Sequence, residues 1–235
     1  MSAAVVQHRS TTGINVTSVA LAFSSNVTAG SLLAYLSSDF PTGTILAATD
    51  NNSNTIALAA SVATTDGDNR CDYVASANSG ATTVTGHGNA GGADMFLHIY
   101  EISGCVTSSP VRDSGNAHSA TGSVSTAGST SLTGDAVLAF FSDSPQPDTL
   151  TVGAGYSQTE LQRDAVTNNE SCFSEFKAAT AGGTQTATCG GNATDVLVML
   201  IVTFKVASGA GLLTNLDFVP GAGGEAVPSG NSVSY

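Results

Sequence analysis

Thr28-Ala29-Gly30-Ser31-Leu32-Leu33-Ala34-Tyr35-Leu36-Ser37-Ser38-Asp39 and, later, Leu132-Thr133-Gly134-Asp135-Ala136-Val137-Leu138-Ala139-Phe140-Phe141-Ser142-Asp143 read as two versions of one segment. Each holds a turn with Gly, then an apolar run, then a Ser-rich exit that closes on Asp. The likeness continues in order along the chain. Arg70-Cys71-Asp72-Tyr73-Val74-Ala75 resembles Ser171-Cys172-Phe173-Ser174-Glu175-Phe176. Gly80-Ala81-Thr82-Thr83-Val84-Thr85 resembles Gly183-Thr184-Gln185-Thr186-Ala187-Thr188, and Asp94–Tyr100 resembles Asp195–Ile201. Low-complexity chains generate matches of this kind by chance. Four matches in one order, at an offset of about 101 to 105 residues, favour an internal repeat.

Each half reads as a set of short strands: Ser31–Ser37, Thr44–Ala48 running on to Thr55–Ala60, Cys71–Ala77 paired with Ala81–Gly86, and Met95–Ile102. The second half repeats the pattern with Asp135–Ser142, Leu150–Gly153 with Ser157–Arg163, Cys172–Ala178 with Gln185–Cys189, and Asp195–Lys205. An added strand, Ile14–Phe23, precedes the first half. Turn clusters at Asp50–Asn54 and Asn78–Gly80 separate the runs. The expected fold is all-β, a β-sandwich or jelly roll formed from two diverged half-domain repeats, about 27–107 and 132–207. Half-domains of this size struggle to bury a core alone, so one merged core in a single domain, 1–207, is expected. Ser108 to Thr130 reads as a linker. Residues 208–235 read as an extended tail whose apolar residues Leu212, Leu213, Leu216, Phe218 and Val219 dock on their own domain or on a partner.

Composition agrees. Charged residues are 10% of the 235 and Lys plus Arg number 6, too few for long surface helices. The hydrophobic 41% suffices for a core. A net charge of −12 and a pI near 4.3 make nucleic acid a poor partner, because phosphate binding needs clustered Lys and Arg. The longest apolar run, Val196–Val202, is far short of the ~20 residues of a membrane helix, so no membrane partner is expected. The segment from Met1 to Arg9 lacks the pattern of a secretory signal, and the expected site of synthesis is a cytoplasm.

The candidate sites are few. Cys71, Cys105, Cys172 and Cys189 show no Cys-x-x-Cys spacing, which argues against zinc. A hairpin turning at Thr180-Ala181 would set Cys172 opposite Cys189, within reach of a disulfide, and two buried free thiols are the alternative. A Cys71–Cys105 bond is a weaker candidate. His8, His87, His98 and His118 are scattered, and His98 lies in an apolar strand where a structural role is the ordinary one. No nucleophile elbow, zinc-helix or phosphate-loop motif occurs, so no enzyme and no cofactor are expected. Asp66-Gly67-Asp68-Asn69 and Asp50-Asn51-Asn52 carry oxygens suited to calcium, but also the chemistry of tight turns. With no Trp and 6% aromatics, a sugar-stacking platform is hard to assemble.

Thr28-Ala29-Gly30-Ser31-Leu32-Leu33, Thr49-Asp50-Asn51-Asn52-Ser53-Asn54-Thr55 and Tyr100-Glu101-Ile102-Ser103-Gly104 together resemble β-sandwich domains of phage structural proteins and of large bacterial surface proteins. Ser53 stands where the pattern usually has Gly, and the resemblance covers roughly residues 14 to 206. It implies a fold and a setting but no site residues. The expected function is a structural virion surface protein: a phage capsid decoration (cement) protein, or a tail or fibre component. Its partners would be further copies of itself, for example in a trimer, and a capsid or tail protein. The alternative is a carbohydrate-binding or adhesion module, which leaves a glycan open as a ligand.

Overall fold

A computed structural model describes residues 1–40, 44–89, 94–120, 124–125, 128–144, 152–164, 170–189 and 196–208. The first half of the chain forms β1 (Ala4–Gly13), β2 (Ser18–Ala22), β3 (Leu32–Phe40), β4 (Ile45–Asp50), β5 (Ile56–Ala63), β6 (Asp68–Val74), β7 (Thr83–Gly88) and β8 (Asp94–Ser103). The second forms β9 (Val111–Ser119), β10 (Val124–Ser125), β11 (Ser129–Ser131), β12 (Ala136–Ser144), β13 (Ser157–Asp164), β14 (Glu170–Ala178), β15 (Gly183–Gln185), β16 (Thr188–Cys189) and β17 (Val196–Phe204). Among the described residues there is no helix.

Two five-stranded antiparallel sheets dominate, in the orders β1-β8-β3-β6-β5 and β13-β14-β12-β17-β9. In the first half β1 pairs with β8, β2 with β7 and β3 with β6. This nesting wraps the chain as in a jelly roll. In the second half β9 pairs with β17, β10 with β16, β11 with β15, and β12 with β14. The two wraps agree in detail. Both β3 and β12 begin after a turn that places Gly third, with Ser31 N donating to Thr28 O at 3.2 Å and Asp135 N to Leu132 O at 3.1 Å. Gly30 and Gly134 sit at φ +82° and +90°, a region open to Gly at little cost. Both outer ladders are broken at matching places, opposite Ile102/Glu101 and opposite Thr203/Phe204, and both β5 and β13 carry one further bulge.

The five-stranded sheets stack face to face, β1 over β13 and β5 over β9. Their facing sides make one apolar core from Leu32, Leu36 and Tyr100 on one sheet and Leu138, Phe140 and Val202 on the other. Alternate residues point the other way. Leu33, Tyr35, Leu97 and Ile99 pack under the three-stranded sheet β2-β7-β4, while Val137, Phe141, Phe173 and Met199 form a third cluster with Tyr156 and Ala187. β3, β8, β12 and β17 are thus covered on both faces, which explains their unbroken apolar runs.

Several expectations are corrected. Residues 71–77 and 81–86 do not form a hairpin: β6 belongs to the five-stranded sheet and β7 to the three-stranded one, so the Asn78–Gly80 turn carries the chain between layers. The predicted strand Ile14–Phe23 contracts to β2, Ser18–Ala22, and the strand before it, β1, is not predicted. The predicted linker 108–130 contains β9, an edge strand of the second sheet. The central apolar cluster joins the halves, and two further clusters lie on the outer faces of the sheets.

Candidate functional site

The facing sheets enclose a polar cluster at their centre. His98 and Tyr100 are alternate residues of β8 on the same face, and both reach Ser174 of β14 across the interface. His98 Nδ1 lies 2.8 Å from Ser174 Oγ, and the Tyr100 hydroxyl bonds the same oxygen. The His98 ring meets Phe140 edge-on, with centroids 5.1 Å apart. Burial, and secondarily the nearby His8, pushes the His98 imidazole down to about 3, so the ring is neutral at ordinary pH.

Serine beside histidine has the residue types of a nucleophile and base. The arrangement here lacks what such a pair needs. All three side chains are fully buried, and among the described residues His98 Nε2 has no hydrogen-bond partner. A substrate has no path to Ser174 Oγ at 0% exposure. The cluster therefore acts as a clasp between the sheets. Close by, Asn69 Nδ2 donates to Val198 O at 2.9 Å and Ser142 Oγ donates to Asn69 Oδ1 at 2.8 Å, a second polar tie.

At one end of the first sheet, Asp39 on β3 lies directly opposite Asp68 on β6, with Asp94 of β8 close by. Both oxygens of Asp39 are buried without a hydrogen-bond partner among the described residues. Burial, then the repulsion of Asp68 and Asp94, pushes its carboxyl up to about 6. Asp68 Oδ1 accepts from Thr64 N at 3.2 Å and Asp94 Oδ1 from Asn15 N at 3.1 Å, so these two carboxylates brace loops. Among the described residues no group of three His, Cys, Asp or Glu is placed to hold a metal ion.

The two calcium candidates serve turns. Asp50 Oδ1 accepts from Asn52 N at 2.9 Å, and its Oδ2 accepts from the Tyr35 hydroxyl and from Asn54 Nδ2, each at 3.0 Å. Asp66 Oδ2 pairs with His118 Nε2 at 2.9 Å, tying the β5–β6 turn to β9 of the other half.

Cys172 is corrected. It is a free thiol buried on β14, opposite Ser142 and Gln162, whereas Cys189 pairs with Val124 in a separate ribbon. The hairpin that would bring Cys172 and Cys189 together is not formed, because β14 and β16 lie in different sheets. Cys71 and Cys105 are also free, which removes the weaker pairing. Burial raises all three thiols above their ordinary range. The tail residues Leu212, Leu213, Leu216, Phe218 and Val219 lie outside the described residues.

Among the described residues, hollows open on the surface beside β1 and beside the β4–β5 turn. One, of about 610 Å³, runs beside β1 and includes Val5, Gln7, His8, Ser157 and Phe176. The other, of about 440 Å³, lies where the β4–β5 turn meets β6 and includes Ser53, Thr55, Tyr73, Ser76 and Thr107. Its residues fall partly within the Asp50–Asn54 and Asn78–Gly80 clusters, which composition marks as turns. Nothing in the sequence shows that they converge with Tyr73. The three segments that carry the phage-protein resemblance are, in place, the turn and first residues of β3, the β4–β5 turn, and the end of β8. No known protein family, no curated protein and no solved structure matches this chain.

Proposed function

We propose that this chain is a structural protein of a virion surface, as a phage capsid decoration (cement) protein or a tail or fibre component. The reading takes the likeness of the two wraps as that of two diverged copies of one unit, fused into a single building block. The observation that carries it is the set of open sheet margins. β1, β5, β9 and β13 are each eight to ten residues long and, among the described residues, each pairs on one side alone. Long edge strands are the usual means of adding a neighbour by strand pairing. The burial of His98, Tyr100 and Ser174 supports the same reading, since these groups serve the join between halves. Under this proposal the chain is made in a host cytoplasm and assembles with further copies and with a shell or tail protein.

Counting copies of the chain in purified particles by quantitative mass spectrometry tests the proposal. A number comparable to the major shell protein is the result for a decoration protein, and a handful is the result for a fibre or tail part. Absence from the particle overturns the reading.

A further inference from the structure

We propose that the hollow beside Tyr73 binds a neutral saccharide. Its rim is held rigid by reciprocal amide bonds. Asn52 Nδ2 donates to Asn78 O and Asn78 Nδ2 donates to Asn52 O, both at 2.9 Å. Asn78 N donates to Asn54 Oδ1 at 2.7 Å, and Asn54 is itself anchored on Asp50. Ser53, between these braces, is held at φ +54°, a conformation that costs a non-glycine residue energy and persists where surroundings impose it. A site fixed before binding loses less entropy when the ligand arrives.

Inside that rim the polar groups are free. Among the described residues, none of the hydroxyls of Ser53, Thr55, Tyr73, Ser76 and Thr107 makes a hydrogen bond within the protein. Five hydroxyls around one hollow of about 440 Å³ offer both donors and acceptors, at a volume within the range of small-ligand sites. Among the described residues no Asp, Glu, Lys or Arg lines it, in a chain of net charge −12. That combination suits an uncharged polyol and gives an anion or a cation no counter-charge.

The apolar share of the lining is also appropriate. Ala57 lies directly across from Tyr73 on the neighbouring strand, and Ala75 continues the same face of β6. The Tyr73 ring is supported at 59° by Phe204, with centroids 6.0 Å apart. One aromatic and two methyl groups can cover the C–H face of a single sugar ring while the hydroxyls meet its edge. Thr107 lies between β8 and β9, so the hollow is closed by the segment that leads into the second half.

The site is independent of the assembly reading, and either can fail without the other. The test is ligand-observed saturation-transfer NMR on the full chain with a panel of neutral mono- and disaccharides, with charged sugars alongside. At least one neutral sugar is expected to bind with a Kd on the order of 1 mM. Replacing Thr55→Val together with Thr107→Val keeps side-chain shape and removes two hydroxyls, and is expected to weaken binding about tenfold or more. An unchanged melting temperature shows that this variant is folded. Absence of transfer from every neutral sugar up to about 20 mM overturns the proposal. Transfer confined to charged sugars, or binding unchanged in the double variant, overturns it equally.

Discussion

The two flanks of the central interface use matching positions for different chemistry. Pairing β3 with β12 through their turns, and following the ladders outward, sets β8 against β17 and β6 against β14. On one flank His98 and Tyr100 of β8 reach Ser174. The corresponding residues on the other flank, Leu200 and Val202 of β17 and Cys71 of β6, belong to the apolar core. The second polar tie has no like counterpart: Ser142 and Asn69 answer to Ser38 and Cys172, and among the described residues Ser38 Oγ has no hydrogen-bond partner. Two like sheets stacked in opposite order make the connectivity of an isologous pair. The unequal flanks break its equivalence. Two copies of the same half stacked in this way would face Ser174 with Leu200, or His98 with Cys71, and lose the bond between imidazole and hydroxyl, so the polar flank favours the pairing of unlike halves.

The comparison can be broken first at its apolar centre. Phe140→Ala removes the ring that meets His98 and leaves a cavity between the sheets. A loss of about 3–5 kcal/mol is expected in denaturant unfolding. A loss below about 1 kcal/mol would mean that the sheets do not meet there. The Asn69 tie and its counterpart position come next. Asn69→Ala removes the donor to Val198 O and the acceptor of the Ser142 hydroxyl, leaving these two their 3.4 Å contact with each other, and should cost about 2–3 kcal/mol. Cys172→Ala, at the matching position, should cost about 1 kcal/mol, since it deletes a small apolar side chain with a weak donor. Equal losses would erase the distinction between flanks.

The acidic end of the first sheet gives a pH-dependent effect. The folded Asp39 carboxyl is pushed up to about 6 from 3.8, so the folded chain holds a proton that the unfolded chain releases. The stabilising contribution of the protonated form is therefore complete below the unfolded value and is lost as pH rises through about 6. Asp39→Asn removes that slope. The variant should gain on the parent by about 1–3 kcal/mol as pH rises from about 4 to 7, measured by the difference in unfolding free energy. That difference isolates Asp39 from His98, whose lowered imidazole gives stability that grows with pH over its own range. A gap that stays flat with pH would place Asp39 in contact with water or a cation. The smallest effect belongs to His118→Ala. Its pair with Asp66 is about one-third exposed on each side, and its loss should cost below about 1 kcal/mol.

The sequence shows the strands that are covered twice. β3, β8, β12 and β17 announce themselves as apolar runs, and the Gly turns before β3 and β12 mark where they start. Their edge neighbours are silent. β1 runs through Gln7-His8-Arg9-Ser10-Thr11-Thr12 and β9 through Arg112-Asp113-Ser114-Gly115-Asn116, with little apolar periodicity to read. Such strands are fixed by a long-range ladder to one neighbour, which is not a local signal. The likeness between halves is also blurred by its offset. Matching Asp94 with Asp195 by identity is one residue away from the ladder correspondence, and a slip of one residue reverses every side chain in a strand. The hollow beside Tyr73 was illegible for a related reason, because its wall joins a turn, two strands and a loop that only the layered packing brings together.

The most direct test of the account is the titration of His98 by NMR of its ring nuclei. A sealed interface predicts a neutral imidazole whose shifts do not move between roughly pH 5 and 8, with protonation deferred to about 3. A midpoint near the ordinary histidine value of about 6.5 would contradict it: the sheets would then admit water, and Ser174 would have to be reconsidered as a reactive group.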